Sequence, residues 1–486
     1  MADLHDLTAR ELAAAIRRRE TSPTEVLSHT EARMDALDER VGAFVVRAPE
    51  LAAEQAQAAT AVLDAAGDDP RALAALPPLL GVPLPIKDLN MVAGVPMQAG
   101  SAALAGVVAP VDDGVVTRLR EAGTVMVGKT NTPEIGLPSY TEPDIAPPAR
   151  TPWDLTRSAG GSSGGAAAAV AAGIVPIAHG TDGGGSIRIP AAACGLVGLK
   201  ASRGRISTGP HGVDGPALAT NGVLTRDVRD TALALDLLSS PWPGDTYRLP
   251  SAQTSFLDAC DRREQHLRIG VITTPFITPD EPVHPEATAA VELATRTLTD
   301  LGHHVLEAPV PFPAEEWRPF LDVWSVMAAT APIPPEREHL LVPLSQWMRE
   351  RGRGVDGLTY ARAINAGQQL ARQAAAAWAG VDVILTPSLA QPPPTIGAMR
   401  DDADPEGDFW AQCAFTPWSS TWNIIGAPAM SVPLHWAAAD DGGPQLPFGV
   451  TLGAGLGQEE RLLSLAAALE EALPWSDRRP PLALRA

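Results

Sequence analysis

The sequence predicts an α/β fold: a central mixed, largely parallel β-sheet covered by helices on both faces. Three observations carry this. Apolar runs of strand length alternate with amphipathic stretches of helical length along most of the chain, the pattern of a sheet layered with helices. Two glycine-rich loops interrupt the alternation beside apolar runs. A composition of 45% hydrophobic and 19% charged residues supplies a large core. No internal repeat and no linker-like segment divides the 486 residues, which read as one domain.

The elements follow in order. Residues 1–66 form a helical preface, in which Thr8 to Glu11 and Ser22-Pro23-Thr24-Glu25 match capping boxes, the second with proline in the first helical position. A Gly/Asp/Pro-rich break from Gly67 to Pro70 ends it. LLGVPLPIKD then reads as a short buried strand finishing at Lys87 and Asp88. Val115 to Ala122 is predicted helical and leads into the apolar run TVMVGKT, and PWDLTRSAGGSSGG is a loop opening an alanine-rich helix. IVPIAHGTDGGGSIRIP reads as strand, glycine loop and a further element. Further strands are expected at 268–272, 304–308, 381–385 and 429–432, and helices at 285–301, 360–379 and 458–473. The segment 268–399 carries its own helices and little glycine chemistry, so it reads as an inserted lobe that helps form the substrate pocket.

Charge excludes some partners. A formal net charge of -20 without a Lys/Arg cluster argues against nucleic acid, whose binding needs a basic stripe. Arg17-Arg18-Arg19 fits the last turn of a short helix, where cations complement the dipole. Cys194, Cys260 and Cys413 lack disulfide or metal-ligand spacing, so no structural metal is expected and a reducing cytoplasm fits. The first residues lack the order of a signal peptide, and no apolar run is long enough to span a bilayer, so no membrane association is expected.

The chemistry concentrates on Gly160-Gly161-Ser162-Ser163-Gly164-Gly165 and Asp182-Gly183-Gly184-Gly185-Ser186. Neither loop meets the requirements of a Walker or dinucleotide motif. Successive N–H groups of Gly183, Gly184, Gly185 and Ser186 can instead converge on one oxygen, an oxyanion hole beside a serine. A serine nucleophile needs a base, His or a lysine kept neutral by burial. Lys87 ends an apolar strand where desolvation would lower its pKa, though a strand-end lysine can equally reach water. His179, seven residues before Ser186, is read as packing or hydrogen-bonding locally, and Cys194 as a small buried residue. Gly160 to Gly164 also satisfies G-x-S-x-G. That pattern would make Ser162 the nucleophile of an α/β-hydrolase esterase, with His339 or His435 downstream.

From Gly160 to Ala191 the chain matches the amidase signature throughout, including GGSSGG, the alanine-rich helix and D-x-G-G-S-I-R-x-P. The likeness extends to GVPLPIKD, VGKTNTPEIG, CGLVGLKASRGRIS and NIIGAPAMSVP. The chain thus resembles the amidase signature family over roughly residues 7–475. That resemblance implies the amidase signature fold and hydrolysis of carboxylic amides through a Ser-cisSer-Lys triad and an acyl-enzyme. It places the nucleophile on Ser186, the bridging serine on Ser162 after a cis peptide bond, and the base on Lys87. It makes Ser163, Thr181, Asp182 and Arg188 supporting residues that fix the loops, Thr181 least firmly. Asn131 and Glu134 are expected to hydrogen-bond structurally. No metal or organic cofactor is implied.

The same signature occurs in the glutaminase-type A subunit of a tRNA-dependent amidotransferase, an alternative reading. The expected ligand is a small-molecule amide, with a homodimer left open. Runs such as TEPD, TPWDLTRS and PGDTY are similar to bacterial members that open an amide ring. Tyr140, Trp324, Trp418 and Trp422 are candidate pocket walls. Two departures from the family pattern stand out: Gly183 makes three consecutive glycines, and Ala201-Ser202 replaces a common Pro-Thr.

Overall fold

The computed structural model describes residues 3–439 and 442–483. Both predicted capping boxes form: Thr8 and Ser22 accept from the backbone N–H of Glu11 and Glu25, which reach back to the cap backbone, starting helices Ala9–Arg17 and Pro23–Val41. The preface is not wholly helical, however. Phe44–Arg47 is a strand, β1, in which Phe44 and the β-branched Val45 and Val46 favour an extended backbone that pairs antiparallel with Gly128–Thr130.

The remaining strands are β2 (Ile86–Lys87), β3 (Gly128–Thr130), β4 (Ile177–Asp182), β5 (Val197–Lys200) and β6 (Thr220–Thr225). They continue with β7 (Arg268–Val271), β8 (His304–Glu307), β9 (Val383–Pro387), β10 (Ala429–Ala438) and β11 (Gln445–Ala454). A three-stranded sheet runs β1-β3-β2 and an eight-stranded sheet runs β4-β6-β5-β10-β11-β9-β7-β8.

The large sheet is mixed and flanked by helices as expected, but it is not largely parallel. Five of its pairings are antiparallel, and only β7 with β8 and β9 with β7 are parallel. The alternation rule fails where no helix separates neighbours: β5 reaches β6 through a loop, and β10 turns directly into β11. Segment 268–399, expected as an inserted lobe, contributes both strands and helices. Strands β7, β8 and β9 complete one side of the large sheet, while helices Pro319–Thr330, Pro343–Gly354 and Gly357–Ala377 pack into an aromatic cluster.

Packing then fixes the site. The helix Gly164–Ala171 is buried on every residue, and its glycines and alanines let it sit in the core without bulky side chains. Helices Val228–Leu238, Pro285–Asp300 and Glu459–Ala472 enclose the main core against the large sheet. At β11, an added Cβ on Gly453 would lie 1.9 Å from Trp422 Cη2, so glycine is what admits the indole against the sheet. Gly453→Ala is therefore expected to cost about 1–3 kcal/mol by overpacking. Gly357→Ala, which meets nothing within 4 Å, should cost nothing; urea unfolding of both variants checks the contrast.

Candidate active site

Lys87 stands at the end of β2, fully buried. Parallel pairing sets Lys87 opposite Thr130, and the next residue, Asp88, is locked to β3 by a buried ion pair with Lys129 at 2.8 Å. The Lys87 backbone N–H donates to His179 Nδ1 at 3.3 Å. With strand and backbone held, Lys87 Nζ lies 2.7 Å from Ser162 Oγ and 2.9 Å from Thr181 Oγ1. Burial pushes its pKa down to about 7, against the opposing charge of Asp182. Because Nδ1 of His179 accepts from the backbone, its ring proton sits on Nε2, 3.0 Å from Asn221 Oδ1. Burial outweighs that hydrogen bond and holds the imidazole near 3, so His179 is neutral with both nitrogens occupied. It fixes the lysine strand and has no free nitrogen with which to act as a base.

Ser162 follows a cis peptide bond after Gly161. The next N–H, of Ser163, donates to the Ser186 carbonyl at 3.1 Å, which draws the two glycine loops together. Ser163 Oγ and the Thr181 backbone contact each other twice at 3.3 Å, tying the first loop to β4. Lys87, Ser162 and Ser186 are thus brought to one place. The hydrogen bond from lysine to Ser162 is formed, and among the described residues none joins the two serine hydroxyls. Such contacts commonly tighten only when substrate is bound.

The second loop is held by a carboxylate. Asp182 Oδ1 accepts from Gly185 N at 2.8 Å and Oδ2 from Ile187 N at 3.2 Å, while Arg188 Nε and Nη2 grip both oxygens at 2.9 Å. Asn423 Nδ2 adds a bond to Asp182 Oδ1 at 2.9 Å, and its own Oδ1 accepts from Arg188 Nη2 at 2.7 Å. Burial opposes the carboxylate's charge, but Arg188 and Asn423 overcome it and keep the group ionised. This corrects the expected oxyanion donors: the Gly185 N–H is spent on Asp182. Gly185 serves as the turn, at φ +131, where an added Cβ would lie 2.6 Å from Ile189 Cδ1. Among the described residues the N–H groups of Gly183, Gly184 and Ser186 have no protein acceptor. An added Cβ on Gly183 would meet the Trp324 ring at 3.3 Å, so the third glycine makes room beside that indole.

Ser186 and Gly184 open into a cavity of about 470 Å³ of empty space including its mouth. Trp324 lines it. Trp418 and Trp422 do not; both are buried in the aromatic core, Trp418 bonded to Thr274 O and Trp422 stacked on Trp378. Tyr140 is likewise structural, its hydroxyl donating to Asp408 Oδ2 at 2.6 Å. Asn131 and Glu134 make structural bonds, to the Gly42 and Pro147 carbonyls and to Ser101 and Val342. Cys194 is buried, with burial raising its thiol to about 12.

Lining residues that sequence reading missed include Trp317, Phe320, Phe409, Gln412, Cys413 and Thr416. The last four recur at helical spacing along and just past Pro405–Phe415. That period announces one helix face without saying that Ser186 lies opposite it. The elbow reading of Ser162 fails on local structure: no strand leads into Gly160, only loop with isolated bridges from Arg150 to Ser158 and from Arg157 to Thr395.

Known proteins place this architecture among amide hydrolases. The family model described as Amidase matches residues 25–463. A putative amidase from Synechocystis sp. is 36% identical over 99% of this chain and 91% of its own. The 6-aminohexanoate-cyclic-dimer hydrolase of Paenarthrobacter ureafaciens is 36% identical over 98% and 96%. A solved structure of 6-aminohexanoate cyclic dimer hydrolase complexed with substrate superposes with a TM-score of 0.89, at 32% identity and covering 99% and 100% of the two chains. The chain belongs to the Amidase family. Its reaction is hydrolysis of a carboxylic amide.

Because Asp182 both orders the glycine loop and neutralises a buried guanidinium, Asp182→Asn should destabilise the protein by about 3–5 kcal/mol. Thermal and urea unfolding measure this; an unchanged stability would show that the clamp is not needed for folding.

Proposed function

We propose that Ser186 attacks the amide carbonyl, that Ser162 relays its proton to neutral Lys87, and that the relay runs back to protonate the departing amine. The observation that carries this reading is the buried Lys87 Nζ bonded to Ser162 Oγ at 2.7 Å, on the loop whose next N–H reaches the Ser186 carbonyl. A lysine near pKa 7 can be a base at neutral pH, which an exposed lysine cannot. The unpaired N–H groups of Gly183, Gly184 and Ser186 would hold the oxyanion of both tetrahedral intermediates. Water, deprotonated through the same relay, would then release the acyl group. Thr181, Ser163, Asp182 and Arg188 are read as positioning residues. Each bonds a reacting residue or the loop that carries one, and none is assigned a bond to substrate.

An aromatic and aliphatic cavity wall suits an apolar amide, linear or cyclic, and the similarity to a cyclic dimer hydrolase supports including rings. A reducing cytoplasm is the proposed setting, since the three cysteines are free and buried. Among the described residues no helix is long and apolar enough to cross a membrane.

Release of amine from aryl, aliphatic and cyclic amides tests the assignment. Ser186→Ala should lower kcat by roughly 10³-fold or more, with Lys87→Met and Ser162→Ala comparably impaired because the three act as a unit. Lys87 must lose its proton to act. Hence kcat/KM should rise with pH through about 7 and fall away below it, and the residual activity of Lys87→Met should lack that step. Full activity in Ser186→Ala would overturn the proposal.

A further inference from the structure

A second cavity, about 790 Å³ of empty space including its mouth, adjoins the first, and Phe320 lines both. Its walls are apolar, with Leu218, Val323, Ile364 and Ile424 among them, but they include one cation, Arg203. The guanidinium is held firmly. Nε donates to Ala217 O at 2.7 Å, and Nη2 to Asn423 O at 2.9 Å and Ile424 O at 3.1 Å. The last two acceptors are carbonyls at the end of helix Ser419–Ile425, a favourable place for a cation. All three are neutral. Among the described residues no carboxylate lies within ion-pair distance of Arg203, and its Nη1 has no protein acceptor. The hydroxyls of Tyr247 and Tyr360, which line the same cavity, also make no hydrogen bond with the protein.

A fixed, half-buried guanidinium with two unspent protons, lining an apolar chamber and set over the Tyr247 ring, is the chemistry that selects an apolar chain ending in a carboxylate. The chamber also touches the catalytic loop. Asn423, whose carbonyl holds Arg203, donates to the Asp182 carbonyl and to Leu218 O. We propose that the second cavity receives the far end of the substrate and that this end is a carboxylate on an aliphatic chain. The chain would run from Ser186 past Phe320 to Arg203. This rests on the reading of Ser186 above and names the substrate class for the same site.

The test compares monoamides of straight-chain dicarboxylic acids, from succinic to sebacic, with neutral primary amides of equal length, by ammonia release. At one chain length the anionic amide should show a kcat/KM advantage of about tenfold or more, lying in KM, as a charge-assisted bond implies. Arg203→Met should bring that ratio close to one. Gln368→Glu, on the exposed rim of the same cavity, should lower it by placing a like charge there without touching the core. No anionic advantage at any length, or an advantage that survives Arg203→Met, overturns the proposal even while the neutral amides are cleaved and Ser186→Ala is inactive. Undiminished hydrolysis by Ser186→Ala would instead overturn the nucleophile assignment. Suberate binding measured by calorimetry should weaken in Arg203→Met, and equal binding by that variant would also overturn the proposal.

Discussion

Removing one lysine from water is the constraint on which the catalytic region depends. The chain buries three lysines near the site, and their partners separate them. Lys129 faces the Asp88 carboxylate at 2.8 Å and is held as half of an ion pair. Lys200, lowered to about 7 by burial and then by Arg188, donates to the Ala201 carbonyl at 2.8 Å. Lys87 alone of the three meets two hydroxyls, those of Ser162 and Thr181. Hydroxyls stabilise a charged ammonium less than a carboxylate does, and they can give a proton as well as accept one. Burial lowers the pKa of Lys87, and its two neighbours are groups that could give it a proton, which is what the proposed role as base requires.

Two kinds of packing meet at the cavity that Ser186 lines. On one side, small residues let strands, loops and the helix Gly164–Ala171 approach closely, and the Asp182–Arg188–Asn423 clamp freezes the second glycine loop. The clamp takes the N–H of Gly185 and leaves those of Gly183, Gly184 and Ser186 unspent, so one carboxylate decides which backbone donors remain for an anion. On the other side lie large aromatic side chains, Trp317, Phe320, Trp324 and Phe409, in stacked and tilted contacts. Rigid polar geometry and an apolar chamber thus meet at Ser186, the combination that the proposed reaction calls for.

The amount legible in the sequence follows from the range of each interaction. Capping boxes are local, and both helices begin where Thr8 and Ser22 said they would. The glycine loops are legible because each is contiguous in sequence, whereas a strand-end position alone leaves Lys87 open between water and the site, and only the resemblance to the amidase signature singles it out. What pairs with what was harder to read. Strand direction depends on connections whose helices cannot be assumed, and so the sheet was misjudged as largely parallel. The donation of Gly185 N–H to Asp182 follows from a turn geometry that no residue type announces. Trp418 and Trp422 were placed near the substrate on proximity in sequence, whereas Trp422 fills the space that Gly453 leaves on β11. Arg203 escaped notice because nothing in KASRGRIS shows that its charge lacks a carboxylate.

The most direct test of the central claim is covalent labelling with a fluorophosphonate as a function of pH, with the modified residue located by peptide mass spectrometry. The account predicts modification of Ser186. It also predicts a labelling rate that climbs as a group near pH 7 loses its proton, with that step absent in Lys87→Met. Modification of Ser162, or a pH step that persists without the lysine, would contradict it.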